Sequence, residues 1–129
     1  MNALGRHLLI ELHGCEPGIL DDIDAIREMM VRAAKQMCVT ILEVMSHKFE
    51  PQGVTAIVMI AESHLSIHTW PEHGYAAVDV FTCNGEIPDQ VQTFIAQTLR
   101  ATQVSAVEVK RGILRADRRA LLGCAQTVG

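Results

Sequence analysis

A nearly continuous apolar run, VTAIVMIA at residues 54–61, constrains the fold of this 129-residue chain more than any other feature. The run follows a Pro51-Gln52-Gly53 turn, and it is far shorter than the roughly 20 apolar residues that a membrane helix needs. Strands without polar alternation are typical of the interior of a sheet, where both faces are covered. The run therefore predicts a central strand.

Two segments have helical rather than strand periodicity. In Leu20–Met37, apolar residues recur at spacings of three and four, and three aspartates crowd the start, where negative charge favours a helix. Ile87–Ala101 repeats the pattern, with Pro88 near its beginning. The remaining apolar segments predict strands at Arg6–His13, Val39–Lys48, Val54–Ala61, Leu65–Trp70, Tyr75–Cys83 and Val104–Val109.

The order of these elements, β-α-β-β-β-β-α-β, predicts an α+β fold in a single domain over residues 1–129. We expect a two-layer sandwich, with a mainly antiparallel sheet and two main helices on one face. Such a sheet leaves apolar side chains on its other face, which is unusual for a monomer. A homodimer that covers this face is therefore expected, and residues from about 112 to 129 are expected to form a flexible tail.

The composition argues against several classes of function. A net charge of -4 argues against a nucleic-acid-binding protein, which is usually basic. The four cysteines form no CxxC pair and suit a reducing compartment, and the N-terminus lacks the long apolar segment of a signal peptide. We therefore expect a cytoplasmic protein that binds neither nucleic acid nor membrane.

The segment ESHLSIHTWPEHGYAAVDVFTC, residues 62–83, holds three of the six histidines, the only tryptophan and a cysteine. On a strand, His64 and His68 lie about 13 Å apart, too far for one metal ion, so no metal site is expected. A hydrolase with Ser63 as nucleophile would lack the usual G-x-S-x-G turn. A nucleophilic pair of Cys83 with a histidine, and a purely structural role, both stay open.

Three stretches carry a resemblance to a known family: LGRH at residues 4–7, HKFEPQGVT at residues 47–55, and all of residues 62–83. With them the chain resembles the prokaryotic S-adenosylmethionine decarboxylases, as far as about Arg111. The resemblance implies a proenzyme that cuts itself between Glu62 and Ser63, giving a β chain of residues 1–62 and an α chain of residues 63–129. It also implies that Ser63 becomes the cofactor, a pyruvoyl group.

The resemblance assigns roles in self-cleavage to four residues. The Ser63 hydroxyl attacks the carbonyl carbon of Glu62 and turns the peptide bond into an ester through an oxyanion. Thr55 stands where the family usually has serine, and its hydroxyl would donate a hydrogen bond to that oxyanion. His68 would transfer protons, which suits an imidazole at neutral pH. Elimination would then release Glu62 as a C-terminus and, after loss of ammonia, leave the pyruvoyl group at position 63.

The same resemblance implies how the cut enzyme works. The pyruvoyl ketone forms a Schiff base with the substrate amine and accepts electrons when CO2 leaves. Cys83 matches the family's proton donor, which reprotonates the substrate carbon. The residues expected to bind substrate are Phe49, Leu65, Trp70 and Glu72, with Glu11 as a weaker candidate.

The expected function is decarboxylation of S-adenosylmethionine to the aminopropyl donor of spermidine synthesis. Two alternatives remain: the same chemistry on ornithine or arginine, and an uncut, inactive homologue with a regulatory role. The rings of Phe49 and Trp70 and the carboxylate of Glu72 favour a nucleoside substrate with a sulfonium charge. The expected assembly is a homodimer of cut protomers, (αβ)2, with two active sites at or near the interface that take residues from both protomers.

Overall fold

The computed structural model describes residues 3–83 and 85–114. Along these residues the chain forms β1 (Ala3–His13), α1 (Pro17–Leu20), α2 (Ile23–Gln36), β2 (Ile41–Lys48), β3 (Val54–Ile60), β4 (Ser63–Trp70), a 3-10 turn (Pro71–His73), β5 (Tyr75–Thr82), α3 (Asp89–Thr98) and β6 (Gln103–Ile113). The predicted succession of strands and two main helices is confirmed, and the short helix α1 is additional.

The six strands form one sheet in the order β2-β3-β4-β5-β1-β6, and each neighbouring pair is antiparallel. β3 contains most of the long apolar run and is an internal strand, paired with β2 and β4. The buried side chains of α2 and α3 form one hydrophobic core with alternate residues of the strands. The expected α+β sandwich, with its helices on one face of an antiparallel sheet, is confirmed.

Local hydrogen bonds explain where the elements begin. The Asp22 carboxylate accepts hydrogen bonds from two backbone N–H groups in the first turn of α2, both at 3.1 Å, and so caps the helix. α2 therefore begins at Ile23 rather than Leu20, and Pro17–Leu20 forms a separate short helix. β4 begins two residues earlier than predicted, at Ser63.

The two faces of the sheet differ in what covers them. Toward the helices, the alternate β3 side chains from Val54 to Ile60 are at most 1% exposed. On the other side of β3, Ile57 and Met59 are 38% and 47% exposed. We call this uncovered side the open face. Within one chain, the long apolar run is covered on one side only.

No helix in the described parts of the chain is long and apolar enough to span a membrane. The flexible tail predicted over residues 112–129 begins too early, because Gly112 and Ile113 belong to β6. Residues 115–129 of that predicted tail lie outside the described residues.

Candidate active site

The candidate residues from the sequence fall into two groups at opposite ends of the central strands. The Ser63 edge consists of Glu62, Ser63 and Cys83, and the Trp70 edge consists of Phe49, Thr55, His68, Trp70 and Glu72. Both ends of β4 contribute, since Ser63 is the first residue of that strand and Trp70 is the last.

At the Ser63 edge, three hydrogen bonds converge on the peptide bond between Glu62 and Ser63. The Ser63 hydroxyl donates to the Glu62 carbonyl oxygen at 2.6 Å. The Cys83 thiol donates to the same oxygen at 3.1 Å, and the Cys83 N–H donates to the Ser63 hydroxyl oxygen, also at 3.1 Å. The carbonyl of this peptide bond therefore faces both a hydroxyl and a thiol.

The pairing of β4 with β5 explains why Cys83 reaches this bond. His64 pairs with Phe81, and in an antiparallel ladder each step back along one strand matches a step forward along the other. Continued by two residues, the register sets Glu62 opposite Cys83. The turn between β4 and β5 thus fixes the register of this pair, and the register places Cys83 next to Glu62.

The backbone at Glu62 is strained. Its φ angle is 67°, in the left-handed region, which costs a residue other than glycine on the order of 1–3 kcal/mol. The neighbouring Ala61 N–H donates to the Thr40 carbonyl at 3.0 Å and helps to hold the turn in place. The strain therefore lies at the residue whose carbonyl receives the Ser63 and Cys83 hydrogen bonds.

At the Trp70 edge, the side chains surround a cavity of about 310 Å³. Its lining includes Phe49, Thr55, His68, Trp70 and Glu72. The Thr55 hydroxyl and His68 Nδ1 are hydrogen-bonded at 2.9 Å, as expected from their direct pairing between β3 and β4. The cavity is thus lined by two aromatic rings, a carboxylate and a hydroxyl–imidazole pair.

Tyr75 belongs to this edge, although the sequence did not single it out. Its ring stacks on Trp70 with 5.2 Å between centroids, and its hydroxyl donates to the Glu11 carboxylate. Burial, followed by the contact with Glu11, raises the pKa of Tyr75 to about 12. Tyr75 therefore stays protonated and holds both Trp70 and Glu11. The pairing of Trp70 with Tyr75 across a short turn was the signal that could have found it.

The two edges are far apart within one chain. Ser63 and His68 are five residues apart on an extended strand, about 16 Å at the usual rise per residue. Thr55 pairs with His68 and lies equally far from Ser63. In a single protomer, Thr55 and His68 therefore do not reach the Glu62–Ser63 bond. Leu65, a predicted substrate contact, is 0% exposed, and its side chain packs in the core.

Between the two edges, the open face carries a polar cluster around Asp79 that the sequence also did not reveal. The Asp79 carboxylate receives hydrogen bonds from His7 Nε2 at 2.5 Å, from His64 Nε2 at 3.0 Å and from the Ser66 hydroxyl. Burial raises the pKa of Asp79, but the hydrogen bonds from Ser66, His7 and His64 outweigh it and leave the pKa below its ordinary value. We call these four residues the Asp79 cluster.

Comparisons with known proteins found similar sequences and a similar solved structure. A family model described as S-adenosylmethionine decarboxylase matches residues 6–112. The S-adenosylmethionine decarboxylase proenzyme of Caldanaerobacter subterraneus subsp. tengcongensis is 54% identical over 114 residues, which cover 88% of this chain and 92% of the relative. The proenzyme of Moorella thermoacetica is 49% identical over 121 residues, covering 93% and 97%. The crystal structure of the adenosylmethionine decarboxylase from Aquifex aeolicus superposes with a TM-score of 0.82 at 34% identity, over 90% of this chain and 97% of that one.

Proposed function

The chain belongs to the S-adenosylmethionine decarboxylase family and decarboxylates S-adenosylmethionine, and we propose that it does so after cutting itself between Glu62 and Ser63. The observation that carries the proposal is the Ser63 hydroxyl, 2.6 Å from the Glu62 carbonyl oxygen on a strained backbone. An acyl shift requires a nucleophile held next to the carbonyl that it attacks.

The residues at the Ser63 edge supply the first step of self-cleavage. The Ser63 oxygen loses its proton and bonds to the Glu62 carbonyl carbon. The bond from that carbon to the Ser63 nitrogen then breaks, and the nitrogen takes up a proton as a free amine, so that an ester replaces the amide. Negative charge develops on the carbonyl oxygen, and the Cys83 thiol is already 3.1 Å from it. Relief of the positive φ at Glu62 favours cleavage as a whole, because the strain can disappear once the chain is cut.

Position 63 suits a pyruvoyl group. Cleavage would make it the first residue of the α chain, with the Cys83 N–H and thiol beside it. Bound there, a pyruvoyl group supplies a ketone that takes the substrate amine and accepts the electrons released with CO2. The Cys83 thiol is the proposed proton donor to the substrate carbon, because it is a hydrogen-bond donor next to position 63 that stays in place when Glu62 is released.

The cavity at the Trp70 edge supports the choice of substrate. A sulfonium cation is attracted to aromatic faces, and Phe49 and Trp70 offer two. The Glu72 carboxylate accepts hydrogen bonds from ribose hydroxyls, and Glu11 lines an adjacent cavity together with His68 and Tyr75. Ornithine and arginine have neither an adenine ring nor a ribose to use these groups.

A homodimer follows from the separation of the two edges. Self-cleavage and substrate binding need Ser63, His68 and the cavity together, but one chain holds them about 16 Å apart. The open face also exposes apolar side chains that a second sheet would bury. These side chains are Leu9, Met45, Ile57, Met59, Val107 and Val109.

A two-fold axis of one orientation would bring the Ser63 edge of one chain next to the Trp70 edge of its partner. An axis that lies between two facing sheets and runs perpendicular to the strands sets each strand over its own copy in the reverse direction. The partner's Trp70 edge then lies over the Ser63 edge of the first chain, and the partner's copies of Thr55 and His68 approach the Glu62–Ser63 bond. The proposed assembly is an (αβ)2 dimer with two shared sites.

The proposed product is an aminopropyl donor for spermidine synthesis, and the proposed compartment is the cytoplasm. The free thiols of Cys15, Cys38 and Cys83 suit a reducing environment.

The test combines mass and turnover. Intact-mass measurement of the purified protein should find two chains, divided after Glu62, and the cut protein should release CO2 from carboxyl-labelled S-adenosylmethionine. Ornithine and arginine, assayed in parallel, should give none. An uncut protein without activity would support the regulatory alternative, and release from ornithine or arginine alone would overturn the substrate assignment.

A further inference from the structure

We infer that the Asp79 cluster is a register clamp: it positions Ser63 and Cys83 across the Glu62–Ser63 bond and so sets the rate of self-cleavage. This inference rests on the proposed function and adds four positioning residues to it: His7, His64, Ser66 and Asp79. They lie on three adjacent strands, β1, β4 and β5, and all four side chains are on the open face.

The clamp acts on the strand that begins with Ser63. As the first residue of β4, Ser63 has only the turn on its N-terminal side, and strand ends are weakly held. The next residue, His64, is bound to Asp79 of β5, and so is Ser66. Two alternate residues of β4 are thus joined to one carboxylate, which opposes both slippage and fraying of the β4–β5 pair.

The β4–β5 register decides what meets the reacting bond. With His64 opposite Phe81, Cys83 lies opposite Glu62, and both its N–H and its thiol contact the Glu62–Ser63 unit at 3.1 Å. A shift of about 1 Å in such an arrangement lowers a rate by up to about 100-fold. Holding this register is therefore a kinetic requirement as well as a structural one.

The clamp is anchored on its far side by Arg111 of β6. Arg111 Nη1 lies 3.1 Å from His7 Nδ1, and its guanidinium lies over the Phe81 ring at 5.8 Å. Because arginine only donates hydrogen bonds, His7 Nδ1 must be the acceptor. The neutral ring then carries its proton on Nε2 and donates it to Asp79. The arrangement thereby fixes the tautomer of His7.

This tautomer also argues against a metal ion, although ligand atoms of His7, His64 and Asp79 lie within 4.8 Å of one another. A metal-bound Nε2 has no proton, so Nδ1 would have to carry one and could not accept from Arg111. His7 Nε2 is also only 2.5 Å from the carboxylate, a hydrogen-bond distance that leaves no room for an ion between them.

The experiment measures self-cleavage of full-length precursor variants by intact mass over time. Asp79→Asn should slow cleavage by between about 10-fold and 100-fold, because the amide cannot accept from all three donors. Glu108→Gln, a carboxylate-to-amide change at the ion pair with Arg6, serves as the matched control and should cleave at the wild-type rate. Hydroxylamine, which cuts esters, should not release fragments from uncut Asp79→Asn precursor, because the clamp acts before the ester forms.

A milder pair of variants covers the case in which Asp79→Asn does not fold. Ser66→Ala should slow cleavage by about 3-fold, and Ser66→Thr, which keeps the hydroxyl, should restore most of the rate. Cleavage of folded Asp79→Asn or Ser66→Ala at the wild-type rate would overturn the clamp. The clamp would also be overturned if Zn²⁺ stabilised the wild type but not His7→Ala, because that result would identify a metal site. A wild-type chain that never cuts would overturn the proposed self-cleavage instead.

Discussion

The Ser63 edge and the Trp70 edge lie at opposite ends of β4 and differ in the groups that they carry. The first has a strained backbone and a nucleophile on a carbonyl, with φ of 67° at Glu62 and the Ser63 hydroxyl at 2.6 Å. The second has a cavity of about 310 Å³ and a Thr55–His68 pair at 2.9 Å. The nucleophile and the aromatic rings of the cavity therefore lie at opposite ends of β4, and the Thr55–His68 pair lies with the rings. In the proposed dimer, each chain would contribute its Ser63 edge to one site and its Trp70 edge to the other.

Removing the nucleophile should have the largest effect on the Ser63 edge. Ser63→Ala has no hydroxyl to attack the Glu62 carbonyl, so both cleavage and decarboxylation should be abolished. Ser105→Ala, on the exposed part of β6, is the control and should cut normally. Intact mass reads out both variants, and a fully cut Ser63→Ala protein would break the assignment of this edge.

Cys83→Ala should separate the two tasks of the Ser63 edge. Cleavage should still occur but more slowly, because Ser63 and Glu62 remain while the thiol at the Glu62 carbonyl oxygen is lost. Turnover should fall by about 100-fold or more without the proton donor. Protonation at the wrong carbon would convert position 63 into alanine, which N-terminal analysis of the α chain detects after incubation with substrate. Full turnover in Cys83→Ala would remove the thiol from the reaction.

Trp70 itself should affect KM more than cleavage. Trp70→Leu removes an aromatic face from the cavity, and KM for S-adenosylmethionine should rise by about 10-fold. Trp70→Phe keeps an aromatic ring, and its KM should lie between those of Trp70→Leu and the wild type. Steady-state kinetics on fully cut protein provide the measurement. An unchanged KM in Trp70→Leu would place substrate elsewhere.

The smallest expected effect is on acid stability. The lowered pKa of Asp79 means that its carboxylate stabilises the fold above the unfolded-state value of about 4, and that this contribution is lost as pH falls through the lower folded value. The difference in Tm between wild type and Asp79→Asn should therefore be constant near neutral pH and shrink below about pH 4. A Tm difference that grew as the pH fell would contradict the stabilising role of the hydrogen-bonded Asp79 carboxylate.

The sequence predicts each edge better than it predicts their separation. Period-two alternation and the turn at Pro71–His73 define the β4–β5 pair, and that register alone sets Cys83 against Glu62. The Asp79 cluster was not predictable in this way. His7 contacts Asp79 because β1 lies beside β5 in the sheet. That pairing joins residues more than 70 positions apart and has no local signal. Backbone strain at Glu62 likewise follows from the folded turn and not from residue type.

Mixing two inactive variants tests most directly whether the two edges of different chains meet. His68→Ala alone should remain mostly uncut, and Ser63→Ala alone fully uncut. When the two are unfolded, mixed in equal amounts and refolded, hybrid dimers pair an intact Ser63 edge with an intact Trp70 edge, so about a quarter of all chains should be cut. The cut chains should all be His68→Ala. Ser63→Ala mixed with Cys83→Ala, which alter the same edge, should regain no turnover. Absence of cleavage in the first mixture, with dimers shown to form by light scattering, would contradict a site built from two chains.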